Sequence, residues 1–289
     1  MTLLLARMLL LAATIPAARA TVLVAVETGV EAYAAALEGV GAALGVGAFR
    51  VVELRASGPD LSQALGAKDV QAVVAIGSRA LAEVCARKLS VPVIATMVLH
   101  ASELDGCSHV ELDIPLAAQL QAMRALWPRR LRVAIIRNPA RARYSAEALE
   151  AQARKEGYLA VVLDCDGPAR LLKAMAEVKG KVDFLLCFPD QDLYNPMTIK
   201  PFVLASLEDR LPIVGYSPAF VRAGAAAGVY PDYRDIGRQT GEMALRRLRG
   251  DDRGGEEGPR KIQIAVNQRV ARLLGADFRT GSAPVEVFR

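Results

Sequence analysis

The chain has 289 residues, 53% of them hydrophobic and 23% charged, with 36 Lys and Arg against 31 Asp and Glu. That balance is globular and excludes a disordered chain, and the length suits two domains of ordinary size. The basic residues are scattered between acids rather than gathered in a stripe, so no nucleic-acid partner is expected.

Residues 1–20 read as a signal peptide. Arg7 precedes the apolar run 8–15, which is followed by Pro16 and Ala18-Arg19-Ala20. A basic start, a short apolar centre and an Ala-x-Ala exit are what signal peptidase recognises, and the run is well short of the ~20 residues that span a bilayer. The mature chain would then begin at Thr21 and work in the periplasm or as a secreted protein. Without Arg7 and Arg19 it carries 34 basic residues against 31 acidic ones. No Cys follows the cleavage point, so no lipid anchor is expected.

From Thr21 the pattern alternates strand and helix. Strands are predicted at 22–26, 49–54, 70–76 and 91–96, with helices at 30–44 and from Gly77-Ser78 through Leu89. The strands are continuously apolar, which implies burial on both faces and a parallel sheet covered by helices. Right-handed crossovers then give a doubly wound α/β layout. The same grammar restarts after Pro128. Strands are predicted at 131–136, 159–164, 182–188, 211–215 and 225–230, and helices at 140–156, 168–178, 196–210 and 235–249. A charged turn region, 250–258, precedes a last strand, 261–266, and helix, 267–274. The expected fold is α/β with two doubly wound parallel-sheet lobes joined by a hinge. Residues 21–113 plus 232–255 would form the first lobe and 114–231 plus 256–289 the second, with crossings near 112–116, 230–233 and 250–261.

In such sheets ligands sit beyond the carboxyl ends of the strands, and two facing sheets place those ends across a cleft. This rule nominates Thr28, Gly77, Ser78 and Thr96 in the first lobe, and Asn138, Tyr144, Asp190, Tyr216 and Tyr230 in the second. Ser78 would cap a helix whose free N–H groups suit a carboxylate, or serve only as a cap. Asn138 could open a helix or meet a ligand. Asp190 could hold an ammonium group or simply form a turn, and Tyr216 could stack on a ligand or pack against its own lobe.

Catalytic signatures are absent: there is no Gly-x-Ser-x-Gly elbow, Walker loop or Gly-x-Gly-x-x-Gly after a strand. A binder rather than an enzyme is expected. Of the four cysteines, Cys187 lies in an apolar strand as a core residue. If one disulfide forms, it would join Cys85 to Cys107. The cysteine spacings match no zinc pattern, and His100 and His109 read as solvated loop residues, so no metal or cofactor is expected. Arg141, Arg143 and the 246–249 segment read as solvated helix faces.

These pieces carry a family resemblance. Val74-Ala75-Ile76-Gly77-Ser78 with Ala80, the stretch from Leu126-Trp127-Pro128 to Arg137-Asn138-Pro139, and Gly224-Ala225 leading to Tyr230 and Tyr233 come in a characteristic order. They are followed by Ile236-Gly237-Arg238-Gln239-Thr240-Gly241-Glu242-Met243-Ala244, then Arg249-Gly250, and Val266-Asn267 to Leu274-Gly275. The chain resembles the periplasmic substrate-binding proteins of ABC transporters with a type I periplasmic-binding fold, most closely the branch that includes aromatic amino-acid binders. The resemblance implies a monomer that binds a small-molecule ligand between two lobes and delivers it to ABC permease subunits in the membrane. A secreted sensor or adaptor signalling to a membrane partner is the alternative, and a secreted α/β hydrolase a third reading. One departure stands out. The family usually carries an Asp-Pro turn after the fourth strand, where this chain has Thr96-Met97-Val98-Leu99-His100.

Overall fold

The computed structural model describes residues 21–54, 61–67, 69–99, 107–251, 255–276, 278 and 285–288. The segment read as a signal peptide and His100 lie outside them. In chain order the first part comprises β1 (Thr21–Glu27), α1 (Glu31–Leu44), β2 (Phe49–Leu54), α2 (Leu61–Leu65), β3 (Val70–Ile76), α3 (Ser78–Cys85), β4 (Val93–Thr96) and β5 (Ser108–Val110). There follow α4 (Leu116–Leu126), β6 (Arg132–Arg137), α5 (Ala146–Lys155), β7 (Leu159–Asp164), α6 (Pro168–Val178), β8 (Phe184–Cys187), α7 (Ile199–Glu208) and β9 (Ile213–Gly215). The chain closes with α8 (Pro218–Arg222), β10 (Ala227–Pro231), α9 (Tyr233–Leu248), β11 (Glu256–Glu257), β12 (Ile262–Asn267), α10 (Gln268–Leu273) and β13 (Val285–Phe288).

Two sheets result, with strand orders β11-β5-β4-β3-β1-β2 and β13-β12-β10-β9-β8-β6-β7. All pairings are parallel except β10 with β12, which gives the two-lobed, doubly wound α/β architecture. The continuous apolar runs explain the layering. Val22, Val24 and Val26 of β1 face a core shared with Ala36 and Val40 of α1 and Ile236 and Met243 of α9. The alternate residues Leu23 and Ala25 face Leu61, Leu81 and Val84 on the opposite side. In the second lobe Val133 and Ile135 pack under α4 and α5, where Trp127 and Tyr158 flank Phe184 at centroid distances of 6.0 and 6.2 Å. Ala134 and Ile136 face α6 and Phe202 on the other side.

Glycines bring α1 and α9 unusually close. A Cβ on Gly237 would stand 1.9 Å from the Ala36 carbonyl oxygen, and one on Gly39 would stand 2.0 Å from that of Arg234. The helix that completes the first lobe therefore arrives from the far end of the chain.

The chain passes between sheets three times. Residues 111–115 lead from β5 to α4, Asp232 leads from β10 to α9, and residues 258–261 lead from β11 to β12. The last two crossings are tied together. Asp232 N–H donates to Lys261 O (3.0 Å), Gln263 Nε2 to Asp232 Oδ2 (3.0 Å), and Gln239 Nε2 to Gly258 O (3.1 Å). Glu256 and Glu257, expected beyond the last crossing, still belong to the first sheet, because their backbone pairs with His109 and Val110.

Several helix starts differ from expectation for local reasons. The helix expected from residue 140 begins at Ala146, capped by Ser145 Oγ accepting from Ala148 N–H (3.2 Å). The residues before it are held in a loop by Asn138 Oδ1, which accepts from Ala140 N–H, and by the Arg137 guanidinium donating to Tyr144 O. Helix α9 begins at Tyr233 because Asp232, rather than a later residue, caps it (3.0 Å to Asp235 N–H).

Candidate functional site

The strand ends of the second lobe and the first crossing enclose a cavity of about 250 Å³. Its walls are Leu112, Ile114, Pro115, Leu116 and Gln119 from the crossing and α4, Asn138 and residues 141–144 after β6, and Phe188-Pro189-Asp190 after β8. Tyr216 after β9 and Val229 and Pro231 of β10 complete it. The enclosure is largely apolar with a few polar groups, the character of a small-molecule site.

Of the residues nominated from sequence, Asn138, Tyr144, Asp190 and Tyr216 come together on this cavity. Asn138 is buried and its Oδ1 is used by the turn to Ala140; it does not open a helix. Tyr144 is half-exposed at the cavity rim. Asp190 is 7% exposed. Its Oδ1 accepts from Asp192 N–H (2.8 Å) and Leu193 N–H (2.9 Å), and Oδ2 has no hydrogen bond among the described residues. The turn thus uses only one of the two carboxylate oxygens. Tyr216 packs edge-on against Phe220 (5.3 Å) and beside Tyr194 (5.9 Å) while still lining the cavity. Burial, with Cys187 and Asp190 nearby, raises its phenol pKa, so the hydroxyl stays neutral.

The remaining nominees stand elsewhere. Tyr230 points away from the cavity and donates to Glu286 Oε2 (2.9 Å). Thr28 is exposed after β1. Gly77, at φ 95°, is itself the cap position of α3, with the Tyr33 ring lying over it. Ser78 is consequently the first helical residue, exposed and not a cap. Thr96 is fully buried at the end of β4, its Oγ1 without a hydrogen-bond partner among the described residues, and Met97 beside it holds a left-handed φ of 57°. These four belong to the first-lobe strand ends, and none of them lines the cavity.

Other groups escaped the sequence reading. Phe188, two residues before the nominated Asp190, gives the cavity an aromatic wall; its position at the end of the predicted strand 182–188 was the available signal. Arg143 is not on a solvated helix face. From the loop after β6 it reaches the first lobe, donating to Glu111 Oε1 (2.8 Å) and Oε2 (3.1 Å) and to Glu256 Oε1 (3.3 Å). Arg141 pairs with Asp192 (2.7 Å), Arg246 with Glu257, and Arg247 donates to Ser108 Oγ. His109 is a buried residue of β5, not a solvated one. Cys85 and Cys107 are free thiols with sulfurs 3.7 Å apart, while Cys165 and Cys187 are buried separately. Among the described residues no helix is long and apolar enough to cross a membrane.

Comparison with known proteins agrees with this geometry. A substrate binding protein with adhesive properties from Clostridium difficile, in a ligand-free, open structure, superimposes with a TM-score of 0.71 at 17% identity, covering 93% of this chain and 99% of that one. The ABC domain in complex with L-Trp from Streptococcus pneumonia gives a TM-score of 0.64 at 18% identity, covering 93% and 100%. At these identities the likeness is one of fold. A tyrosine-binding protein of Clostridioides difficile (strain R20291) is 26% identical over 137 residues, a stretch that spans 47% of this chain and only 39% of that protein. Residues 59–272, most of the chain and the whole of the cavity wall, match the family model of ABC transporter substrate binding proteins. The chain belongs to that family of solute-binding proteins.

Proposed function

We propose that this protein is the extracytoplasmic receptor of an ABC import system and that it takes a small zwitterion with a planar side chain, of the aromatic amino-acid class. The observation that carries the reading is the cavity itself. Its apolar walls at Phe188, Tyr216, Ile114 and Leu116 surround polar groups that include Asp190 Oδ2, a carboxylate oxygen that the turn leaves uncommitted. A ring fits between the aromatic and aliphatic walls, and the ammonium group pairs with Asp190. The ligand carboxylate is left for the first lobe, where the N–H groups opening α3 beside the exposed Ser78 are available when the lobes close. The relatives' names point the same way, one binding tyrosine and one solved with L-Trp. Closure stabilised by contacts from both lobes is the signal that permease subunits in the membrane would read.

Calorimetric titration of the purified protein with L-Tyr, L-Trp and L-Phe, beside native mass spectrometry of whatever co-purifies, tests the ligand class. One-site binding accompanied by compaction in solution scattering is the expected result. Compaction with a co-purifying solute of another class would overturn the aromatic assignment and keep the receptor. A chain that never compacts would overturn both.

A further inference from the structure

The seam between the lobes holds a cluster that solute binding leaves unexplained. His109 is 5% exposed. Its Nδ1 lies 3.4 Å from the Cys107 carbonyl oxygen, and its Nε2 has no hydrogen-bond partner among the described residues. That nitrogen stands 4.0 Å from Glu111 Oε1 and 4.0 Å from Glu256 Oε2, and the three donor atoms lie within 4.8 Å of one another. Strand register builds the arrangement. Glu111, one residue past β5, falls on the same side as His109 by the two-residue period, and Glu256 of β11 is the direct pairing partner of His109. Backbone bonds from His109 N–H to Gly255 O (2.7 Å) and from Glu111 N–H to Glu257 O (2.8 Å) lock it. In the tautomer that carries its proton on Nδ1, toward the Cys107 carbonyl, Nε2 presents a lone pair on the side of the two carboxylates.

We propose that His109, Glu111 and Glu256 form a binding site for one divalent transition-metal ion of the Zn²⁺ or Mn²⁺ type. One imidazole and two carboxylates are donors suited to such ions, and three protein ligands leave a position open for water. A histidine whose second nitrogen faces a backbone carbonyl is oriented as metal-bound histidines are. Bonds of about 2.0–2.2 Å require the donors to draw together slightly. Glu256, whose side chain is partly exposed at the sheet edge, has the freedom to move.

Arg143 is the competitor. It comes from the other lobe and its guanidinium is the cation that now offsets these two carboxylates. Metal and guanidinium contend for the same oxygens, so metal binding should release the Arg143 tie across the seam. Removing Arg143 should tighten the metal, whereas a purely structural ion cluster would only be weakened by that change.

The test is calorimetric titration of the full, chelator-treated protein with Zn²⁺ and Mn²⁺, with Co²⁺ absorption as a probe of the donor set and melting curves as a check on folding. One saturable site is expected. It should weaken by roughly 10-fold or more in Glu256→Gln and in His109→Ala, and strengthen several-fold in Arg143→Ala. Glu256→Gln alters an exposed edge residue, so the test stands even if His109→Ala folds poorly. No saturable binding of either ion to the wild-type protein would overturn the proposal, as would affinity unchanged in Glu256→Gln. Binding that persists in Glu256→Gln but fails in Cys85→Ser would place the ion on the thiols and also overturn it.

Discussion

Asp190 offers a perturbation that separates fold from binding within one side chain. Its Oδ1 accepts from Asp192 N–H and Leu193 N–H, while Oδ2 faces no partner among the described residues. Asp190→Asn keeps a carbonyl oxygen for the two turn N–H groups and replaces the free, negatively charged oxygen with an NH₂ group. The turn survives, but a ligand ammonium meets a donor where it needs an acceptor. Loss of a charge-assisted hydrogen bond costs about 1.5–3 kcal/mol, which is roughly one to two decades in Kd. Asp190→Ala removes both oxygens and should lose the same affinity plus about 1–2 kcal/mol of stability from the unsatisfied turn. Titration with the tightest-binding aromatic amino acid, paired with thermal melting, reads both quantities. The expected pattern is Asn with wild-type Tm and weak binding, and Ala with weak binding and lowered Tm. Wild-type affinity in Asp190→Asn would refute the reasoning and leave Asp190 as a turn former only.

Gly237→Ala should cost about 2 kcal/mol or more, because its methyl would stand 1.9 Å from a backbone oxygen of α1 and the helices must part; a lowered Tm measures it, and the gain of about 1 kcal/mol in helix propensity does not compensate. Burial alone would raise the Asp183 pKa, yet hydrogen bonds from the Arg132 side chain and from the Arg132 and Leu131 N–H groups outweigh it and hold the carboxyl below its ordinary value. Its stabilisation is therefore complete above the unfolded carboxylate pKa of about 3.9 and is lost as pH falls through the lower folded value. Asp183→Asn should accordingly destabilise at pH 7 by about 1.5–3 kcal/mol and differ little from wild type at about pH 2, as followed by denaturant melts at each pH. Cys85 and Cys107 should close into a disulfide when the protein is incubated with oxidised glutathione, detectable as a loss of two hydrogens by mass spectrometry. That bridge closes a loop of about 20 residues, worth about 3 kcal/mol, so reduction should lower Tm.

How much of this was legible depended on the range of the interactions involved. The runs 22–26 and 70–76 announce buried parallel strands because burial on both faces leaves a local, continuous signal. Helices α1, α6 and α9 follow from their composition and spacing. Strand β5 has three residues, paired between β4 and β11, and β11 has two, both acidic; they are strands only because distant segments supply their backbone partners. The burial of His109 follows from that pairing, which no local pattern encodes. The strand-end rule located Asn138, Asp190 and Tyr216 on the cavity, since that rule concerns the lobe's own topology. It could not foresee that residues 111–116 of the crossing would supply the remaining wall, nor that Arg143 would bridge to Glu111 and Glu256. Those contacts join residues more than thirty and more than a hundred positions apart.

The late arrival of α9 sets a timetable for the newborn chain. Strands β1, β3 and β4 carry Val22, Val24, Val74 and Ile94 on a face whose cover includes Ile236, Met243 and Ala244. About 150 residues separate the end of β4 from the end of α9, so at ribosomal rates of about 5–20 residues per second that face waits roughly 7–30 s for its missing helix. Neither sheet can be finished by a contiguous stretch of polypeptide, since β12 likewise returns to the second lobe after α9 has left it. A chain threaded in this way can build the core between Ala134 and Ala225 from one contiguous stretch, but completes neither sheet until it is nearly whole.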